Sequence, residues 1–301
     1  MQTWERAEWE PRAEAHAARV DALVAPHLAR RTTGVAHPVH DFLFTYYSQR
    51  PAQLRRWHPG WGTRLLDAAD RDQLKGYADG AVTAAHVVGQ RPFVESLRRL
   101  LSATASRPAH LGCFGMHEWA MVYRLGPEET RHAAWPLRLG PEGTDRVVES
   151  HRIGCSHFDA YRFFTPPARG LNVLSPTSTD RAEHEQPGCL HAGMDLYKHA
   201  FRLTPMIASE LVADCFELAR DIRLVDMRAA PYDLTALGVE PLPVETAAGK
   251  AEYAAAQRGF AERGAPLRAR LVAACERLLA VRLPDQAPDP APDPARDPAR
   301  A

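Results

Sequence analysis

The chain has 301 residues, and its hydrophobic (45%) and charged (25%) fractions are those of an ordinary globular protein. Its 37 basic residues balance its 37 acidic ones, so no chain-wide positive field exists that would hold nucleic acid. No apolar run approaches the roughly 20 residues that a membrane-spanning helix requires, so we expect no membrane partner.

The cysteines and the N-terminus indicate a cytoplasmic protein. The five cysteines are scattered, odd in number and without a CxxC pair, which argues against a disulfide framework or a zinc ribbon. The opening residues, Met-Gln-Thr-Trp-Glu-Arg, lack the basic and apolar regions of a signal peptide. We therefore expect reduced thiols in a cytoplasm.

Three elements are predicted in the first third of the chain. Residues 10–31 carry apolar side chains at helical spacing. The dipeptide Asp79-Gly80 is a strong hairpin signal, so a small β ribbon is expected around it. Pro92 opens a second amphipathic helix, which is expected to run to about Ala105.

A tryptophan-rich loop lies between the first helix and the ribbon. Trp57, His58 and Trp61 follow two arginines, and such a group can stack a flat ring of a ligand. The alternative is that the two tryptophans close a loop over the core.

The first of three peptides rich in ionisable and aromatic residues spans residues 113–123. If this peptide is helical, Trp119 and Tyr123 share one stripe, whereas the neighbours His117 and Glu118 point about 100° apart. A buried Glu118 would suit a general acid or base. The alternative is an ion pair between Glu118 and one of the many arginines.

The second peptide spans residues 151–167. In an extended chain His157, Asp159 and Tyr161 point the same way. A carboxylate next to an imidazole can orient it, raise its basicity or share a metal ion with it. Arg162 could hold a phosphate or carboxylate group of a ligand. The alternative is a polar strand edge that ends in a turn.

The third peptide reads as a helix from His191 onward. His191, Asp195 and His199 fall at positions i, i+4 and i+8, so all three share one helical face. That spacing can supply two or three ligands to a metal ion. The same face can equally be solvated, for which Lys198 argues.

The clearest predicted helix covers residues 209–228 and carries an acidic stripe. Glu210, Asp214, Glu217 and Asp221 follow one another at 4-3-4 spacing, with apolar residues on both sides. A stripe in that setting either pairs with arginines of another helix or lines a cleft.

The C-terminal part predicts two more helices and a tail. Residues 246–282 read as two helices separated by Gly264 and Pro266. Residues 286–301, rich in Pro, Asp and Ala, predict a disordered tail. We therefore expect residues 1–285 to form a single mainly α-helical domain with a small β ribbon, with α+β as the alternative fold class.

Four segments together carry a resemblance to a known family. They are His-Pro-Val-His-Asp-Phe-Leu-Phe-Thr-Tyr-Tyr (37–47), Phe-Gly-Met-His-Glu-Trp-Ala-Met-Val-Tyr-Arg (114–124), His-Phe-Asp-Ala-Tyr-Arg-Phe-Phe-Thr-Pro-Pro (157–167) and Glu-Gln-Pro-Gly-Cys-Leu-His (185–191). With them the chain resembles a family of actinobacterial proteins that usually carry the name 3-methyladenine DNA glycosylase. It has neither a helix-hairpin-helix motif nor the ligands of the zinc-containing bacterial glycosylases. The resemblance implies a DNA-repair hydrolase that removes alkylated or modified bases.

Three functional hypotheses follow from these residues. An N-glycosidic hydrolase would need an aromatic pocket for a flipped base and a carboxylate, Glu118 or Asp159, that activates water. A small-molecule enzyme, with or without a metal ion, would use a His/Asp/Glu cluster. A non-catalytic binding protein would keep the same clusters as buried ion pairs. The identity of a metal or cofactor does not follow from the sequence.

The site candidates are shared by the two enzyme hypotheses, whose partners are a modified nucleobase or DNA in the first case and a small-molecule substrate in the second. The catalytic candidates are His117, Glu118, His157, Asp159, His191 and Asp195. The substrate-binding candidates are Trp119, Tyr123, Tyr161 and Arg162.

Overall fold

The computed structural model describes residues 1–31, 34, 36–126 and 135–283. Its α-helices are α1 (Arg6–Arg31), α2 (Phe42–Thr45), α3 (Pro51–Arg55), α4 (Ala84–Gly89), α5 (Arg91–Ala105), α6 (Met116–Ala120), α7 (Gly140–Glu149), α8 (Phe158–Tyr161), α9 (Pro166–Arg169), α10 (Arg181–His184), α11 (Leu190–Arg202), α12 (Ser209–Ala229) and α13 (Ala247–Leu279). The predicted mainly α-helical fold with a small β ribbon is confirmed. The predicted disordered tail lies outside the described residues.

A small sheet of four short strands ties the N-terminus to the hairpin. Its strands are β1 (Gln2–Trp4), β2 (Thr63–Leu65), β3 (Tyr77–Ala78) and β4 (Ala81–Val82), in the order β1-β2-β4-β3. β1 runs parallel to β2, and the other neighbours are antiparallel. Two 3-10 helices, Ala69–Gln73 and Thr235–Leu237, complete the regular elements of the described residues.

The turn between β3 and β4 forms where the sequence predicts it. Asp79 and Gly80 have φ angles of 51° and 69°, the left-handed pair that a tight two-residue hairpin needs. A Cβ atom at Gly80 would lie 2.1 Å from the carbonyl oxygen of Leu65, so no other residue fits there. Turn chemistry therefore fixes the ribbon locally.

The centre of the molecule is α11, which packs along α12 and α13. Ten of its thirteen residues are buried, so it has no solvated face, and the alternative of a water-facing polar stripe does not hold. A Cβ atom at Gly193 would lie 2.6 Å from Cδ1 of Ile222, which shows how closely α11 and α12 approach. Among the described helices, none has both the length and the apolar character needed to cross a membrane.

The prediction of two C-terminal helices is wrong, because α13 runs without a break through Gly264 and Pro266. At Gly264 a Cβ atom would lie 3.6 Å from the side chains of Leu196 and Leu218, so the helix fits closely against α11 and α12 there. Burial on both sides of the proline outweighs the backbone hydrogen bond that a proline removes.

The acidic stripe of α12 forms ion pairs with other helices. Asp214 accepts hydrogen bonds from Arg19 of α1 at 2.9 Å and from Arg270 of α13 at 2.6 Å. Asp221 accepts one from Arg263 of α13 at 2.7 Å. The interpretation as ion pairs with arginines of other helices is therefore confirmed for Asp214, Glu217 and Asp221, whereas Glu210 accepts a hydrogen bond from Trp57. These residues lie outside the site described below.

Trp57 closes its loop over the core. Its side chain is buried, stacks on Trp4 with ring centroids 6.1 Å apart, and donates a hydrogen bond from Nε1 to Oε1 of Glu210 at 2.7 Å. Trp61 is half-buried and packs against the main core. The loop therefore offers no exposed face of Trp57 on which a ligand ring could stack.

Candidate functional site

Side chains from the three polar peptides meet at the centre of the molecule. His117 and Glu118 lie on α6, His157 directly precedes α8, and His191 and Asp195 lie on α11. All five are buried. The turn before α6 requires a glycine, since Gly115 has a φ of 69° and packs against α12 and α13. This turn sets the direction in which α6 enters the core.

We call His117, Glu118, His191, Arg223 and Asp226 the Asp226 cluster. Nε2 of His117 lies 2.9 Å from Oδ1 of Asp226. Nη1 of Arg223 donates to Oδ2 of Asp226 at 2.6 Å and to Oε1 of Glu118 at 3.0 Å. The ring of His191 stands edge-on to His117, with centroids 4.5 Å apart. None of the five residues is more than 7% exposed, so the cluster is largely shielded from bulk water.

The charges within the Asp226 cluster do not balance unless His117 is protonated. Two carboxylates, of Glu118 and Asp226, share a single guanidinium, that of Arg223. Burial opposes ionisation of Asp226, but His117 and then Arg223 outweigh it and hold its pKa well below the ordinary value. Burial also opposes the imidazolium of His117, yet Asp226 raises the pKa of His117. A proton on His117 thus neutralises the cluster.

His191 is the neutral member of the cluster. Burial, followed by the charge of His117, lowers the pKa of His191 well below its ordinary value. Its Nδ1 is buried and has no hydrogen-bond partner among the described residues. Neutral imidazole is the form of histidine that binds metal ions.

His117, His191 and Asp226 are arranged as metal ligands. One ligand atom from each of the three lies within 4.8 Å of the other two. The ligands of a tetrahedral zinc ion lie roughly 3.3 Å from one another, since each is about 2.0 Å from the ion. Small side-chain rotations would therefore bring the three ligand atoms into coordination distance.

A narrow pocket opens onto the two histidines of this group. Its lining includes His117, His191 and three cysteines, Cys113, Cys155 and Cys189. The pocket leaves about 10 Å³ for the centre of a water molecule, which is room for about one water. Burial raises the pKa of Cys155 to about 12 and raises those of Cys113 and Cys189 as well, so the three thiols are protonated at neutral pH.

A second group of charges, the Asp195 cluster, consists of His157, Arg181, Glu185, Asp195 and Lys198. Arg181 donates to Glu185 at 2.5 Å and to Asp195 at 2.8 Å, and Lys198 donates to Asp195 at 2.6 Å. Nε2 of His157 lies 3.4 Å from Asp195 and 3.5 Å from Glu185, which is longer than an ordinary hydrogen bond. Burial opposes ionisation of Asp195, but Lys198 and His157 hold its pKa well below the ordinary value.

Asp159 lies at the outer edge of this cluster. Lys198 donates to Asp159 at 3.0 Å and so connects it with Asp195. The prediction that His157 and Asp159 share one face of an extended chain is wrong, because Phe158–Tyr161 forms a helical turn. The turn directs Asp159 to Lys198, while His157 stays in the interior.

His157 links the two clusters. Its ring centroid lies 5.4 Å from that of His191, whose ring in turn contacts His117. His157 is fully buried, and neither of its ring nitrogens has a hydrogen-bond partner among the described residues. Three imidazoles therefore form a row from one carboxylate cluster to the other.

The four substrate-binding candidates do not line the pocket. Trp119 is buried and donates from Nε1 to the carbonyl oxygen of Ala229 at 2.9 Å. Tyr123 is buried on another side and donates to Glu149 at 2.8 Å. Both residues are part of the core packing.

Tyr161 and Arg162 lie on the outer side of α8. Nε of Arg162 is 3.5 Å from Asp159, and its guanidinium lies over the ring of Phe163 at 4.5 Å. Tyr161 packs against Phe164 with centroids 5.2 Å apart. Both residues belong to the surroundings of the Asp195 cluster and not to the pocket.

Asp226 and Arg223 are site residues that sequence reasoning missed. Asp226 lies five residues after Asp221, so it points roughly 140° away from the acidic stripe. An acid and an arginine three residues apart on the apolar side of a helix are a signal of a buried ion pair, and this signal could have found them. Arg181 and Glu185 carry no comparable signal, because α10 has only one helical turn.

Comparison of the chain with protein-family models, with curated proteins and with solved structures gives no match. The resemblance to the glycosylase-named family therefore stays a prediction, and function has to be argued from the site itself.

Proposed function

We propose that the protein is an enzyme that binds one divalent metal ion through His117, His191 and Asp226 and uses it in a hydrolytic reaction on a small molecule. The observation that carries this proposal is the placement of the three ligand atoms within 4.8 Å of one another in a buried site. Two histidines and one carboxylate are a common ligand set of hydrolytic zinc enzymes, in which the remaining position is left to water or substrate.

The charge balance of the cluster supports this proposal. In the metal-free protein Asp226 raises the pKa of His117, and a proton on His117 would offset the second carboxylate. A divalent ion would replace that proton and would place two positive charges between Asp226 and the two histidines, one more than the carboxylates leave unpaired. Arg223 holds Asp226 in place from the opposite side through its 2.6 Å hydrogen bond.

The pocket supports a catalytic role over a structural one. A structural ion is enclosed by protein ligands, whereas a catalytic ion keeps one position open. Here the pocket reaches the two histidines and has room for about one water molecule. Such an ion would polarise a substrate oxygen or acidify the water. With this volume, only the reacting group of a substrate would enter the pocket.

The donor set favours zinc. Imidazole suits zinc and other late transition metals, whereas magnesium prefers an all-oxygen set. Three thiols also line the pocket, and thiols are groups that soft and borderline ions tolerate and that magnesium does not use.

Metal analysis of the purified protein tests this proposal. After loading with zinc and dialysis, wild-type protein should retain about one ion per chain, while His191→Gln and Asp226→Asn should retain little. His86→Ala, on the distant α4, is the matched control and should behave like wild type. Wild-type protein that keeps less than about one ion per ten chains would contradict the proposal.

Hydrolysis of an N-glycosidic bond in a modified base is the reaction that the family resemblance supports. It would use the same water-activating groups, with a nucleoside or base presented at the mouth of the pocket. Base release from alkylated DNA and from alkylated nucleosides, each with zinc-loaded and metal-free protein, tests it. Base release that is lost in a His191 variant would assign this reaction to the site. The absence of base release from every substrate would rule the reaction out.

A further inference from the structure

A second cavity lies between the end of α1 and the helices α2 and α3. Its volume is about 850 Å³, within the range of roughly 300–1,000 Å³ that is typical of small-molecule sites. It shares no lining residue with the pocket at His117 and His191. The cavity is therefore separate from the pocket at the proposed metal ion.

One wall of the cavity is apolar and rigid. It is lined by Val24, Leu28 and Phe44. The ring of His27 stacks on Phe44 with centroids 4.4 Å apart, and its Nδ1 lies 2.6 Å from Oδ1 of Asp41. This wall suits a flat or otherwise apolar body.

The rim of the cavity is positively charged. Its charged lining consists of Arg30, Arg31, Arg50, Arg55, Asp21 and Asp41, so two positive charges are in excess. Arg55 is occupied by Asp21 through a 2.7 Å contact. Arg31 and Arg50 have exposed side chains and no ion-pair partner among the described residues. These two guanidinium groups are available to an anion.

A residue of the cavity lining holds a buried polar atom without a partner. Gln49 lines the cavity and is only 6% exposed. Its Oε1 has no hydrogen-bond partner among the described residues. An unpaired buried acceptor costs roughly as much as a lost hydrogen bond. A rotation of the Gln49 amide that turned Oε1 towards the cavity would let a ligand N–H or O–H group satisfy this acceptor.

We propose that this cavity binds a small amphipathic anion, namely an apolar or aromatic body that bears a carboxylate, sulfonate or phosphate group and one hydrogen-bond donor. The apolar body packs on Leu28 and Phe44. The anionic group pairs with Arg31 and Arg50, and the donor reaches Oε1 of Gln49.

Two fluorescent probes test the proposal with the full chain. 8-Anilinonaphthalene-1-sulfonate has two aromatic systems, an N–H group and a sulfonate, and N-phenyl-1-naphthylamine is the same molecule without the sulfonate. Wild-type protein should bind the sulfonate at one site per chain and about tenfold more tightly than the neutral probe. The double variant Arg31→Ala/Arg50→Ala should lose that advantage and keep its affinity for the neutral probe. Arg56→Ala, an exposed neighbour outside the lining, should change nothing.

A blocking variant locates the probe. Ala52 lines the cavity from α3 and is exposed, so Ala52→Trp should fill the space without disturbing the core and should abolish binding of both probes. An unchanged urea midpoint shows that the variant is folded, and Ala52→Leu replaces it if the midpoint falls. Equal affinity of wild type for the two probes, or full binding by a folded blocking variant, would overturn the proposal.

Discussion

At the scale of single residues, Arg223 is the group on which the Asp226 cluster depends. Its side chain is 1% exposed, donates to Glu118 and Asp226, and lies over the ring of Phe42 with the guanidinium carbon 3.8 Å from the ring centroid. Without it, two carboxylates would remain in a water-free core. A buried charge that loses its partner is among the most costly defects in a folded protein.

Replacement of Arg223 is therefore expected to be severe. Arg223→Met should lower the free energy of unfolding by roughly 3–5 kcal/mol, because both acids lose their counter-charge. Arg263→Met is the matched control. It breaks the ion pair between Arg263, whose side chain is half exposed, and Asp221. Its cost in unfolding free energy should be at most about 1 kcal/mol. Urea denaturation at neutral pH measures both. Similar losses for the two variants would show that Arg223 does not have this role.

His58 should make stability depend on pH. Burial, and then the charge of Arg71, lowers the pKa of His58 from 6.5 to about 3 in the folded protein. His58 of the unfolded chain therefore binds a proton as the pH falls below 6.5, whereas His58 of the folded protein stays neutral until the pH approaches about 3. The stabilisation is complete above that pH and is lost as the pH falls towards about 3.

The pH dependence can be assigned by one substitution. Between pH 7 and pH 5 the contribution of His58 amounts to roughly 2 kcal/mol, at about 1.4 kcal/mol per pKa unit. His58→Gln should reduce the fall in unfolding free energy over this interval by about that amount, whereas the exposed His110→Gln should not. An identical pH dependence in His58→Gln and wild type would rule out this contribution.

At the scale of elements, α12 separates two kinds of charge. Its acidic stripe forms part-exposed ion pairs with arginines of α1 and α13, such as that between Asp214 and Arg19. The side of the helix that carries Arg223 and Asp226 faces the core and the site. Part-exposed pairs contribute little to stability, whereas the buried ones are costly to break.

Two glycines of α13 should respond in opposite ways to alanine. A Cβ atom at Gly249 would lie 2.0 Å from the carbonyl oxygen of Pro243, so Gly249→Ala should cost roughly 1–3 kcal/mol. A Cβ atom at Gly259 meets nothing within 4 Å, so Gly259→Ala should stabilise by up to about 1 kcal/mol through helix propensity. Thermal unfolding distinguishes the two. Stabilisation by Gly249→Ala would contradict the close approach of α13 to Pro243.

The elements differ in how far the sequence could predict them. The hairpin at Asp79 and Gly80 follows from local turn chemistry, and α5 and α12 follow from their apolar periodicity. The break expected at Gly264 and Pro266 is absent, because tertiary contacts with α11 and α12 override local preferences. The helical turn that holds Asp159 has only four residues and is too short to show a hydrophobic periodicity.

At the scale of the whole molecule, the site is assembled from segments that are distant in sequence. The spacing of His191 and Asp195 predicts that both lie on one face of a helix, and both do lie on α11, four residues apart. The contacts of His117 with Asp226 and of His157 with Glu185 join residues on different elements, and no periodicity encodes such contacts. The sequence therefore singles out His117 and His191 as candidates, whereas the contacts that these residues make depend on the tertiary fold.

A metal ion is expected where the two histidines and the carboxylate of the Asp226 cluster meet. Crystals of zinc-loaded protein, measured on both sides of the zinc absorption edge, test it most directly. We expect one anomalous peak about 2.0–2.2 Å from a ring nitrogen of His117, a ring nitrogen of His191 and a carboxylate oxygen of Asp226. A map without a peak at that position, or with the zinc bound only at other residues, would contradict it.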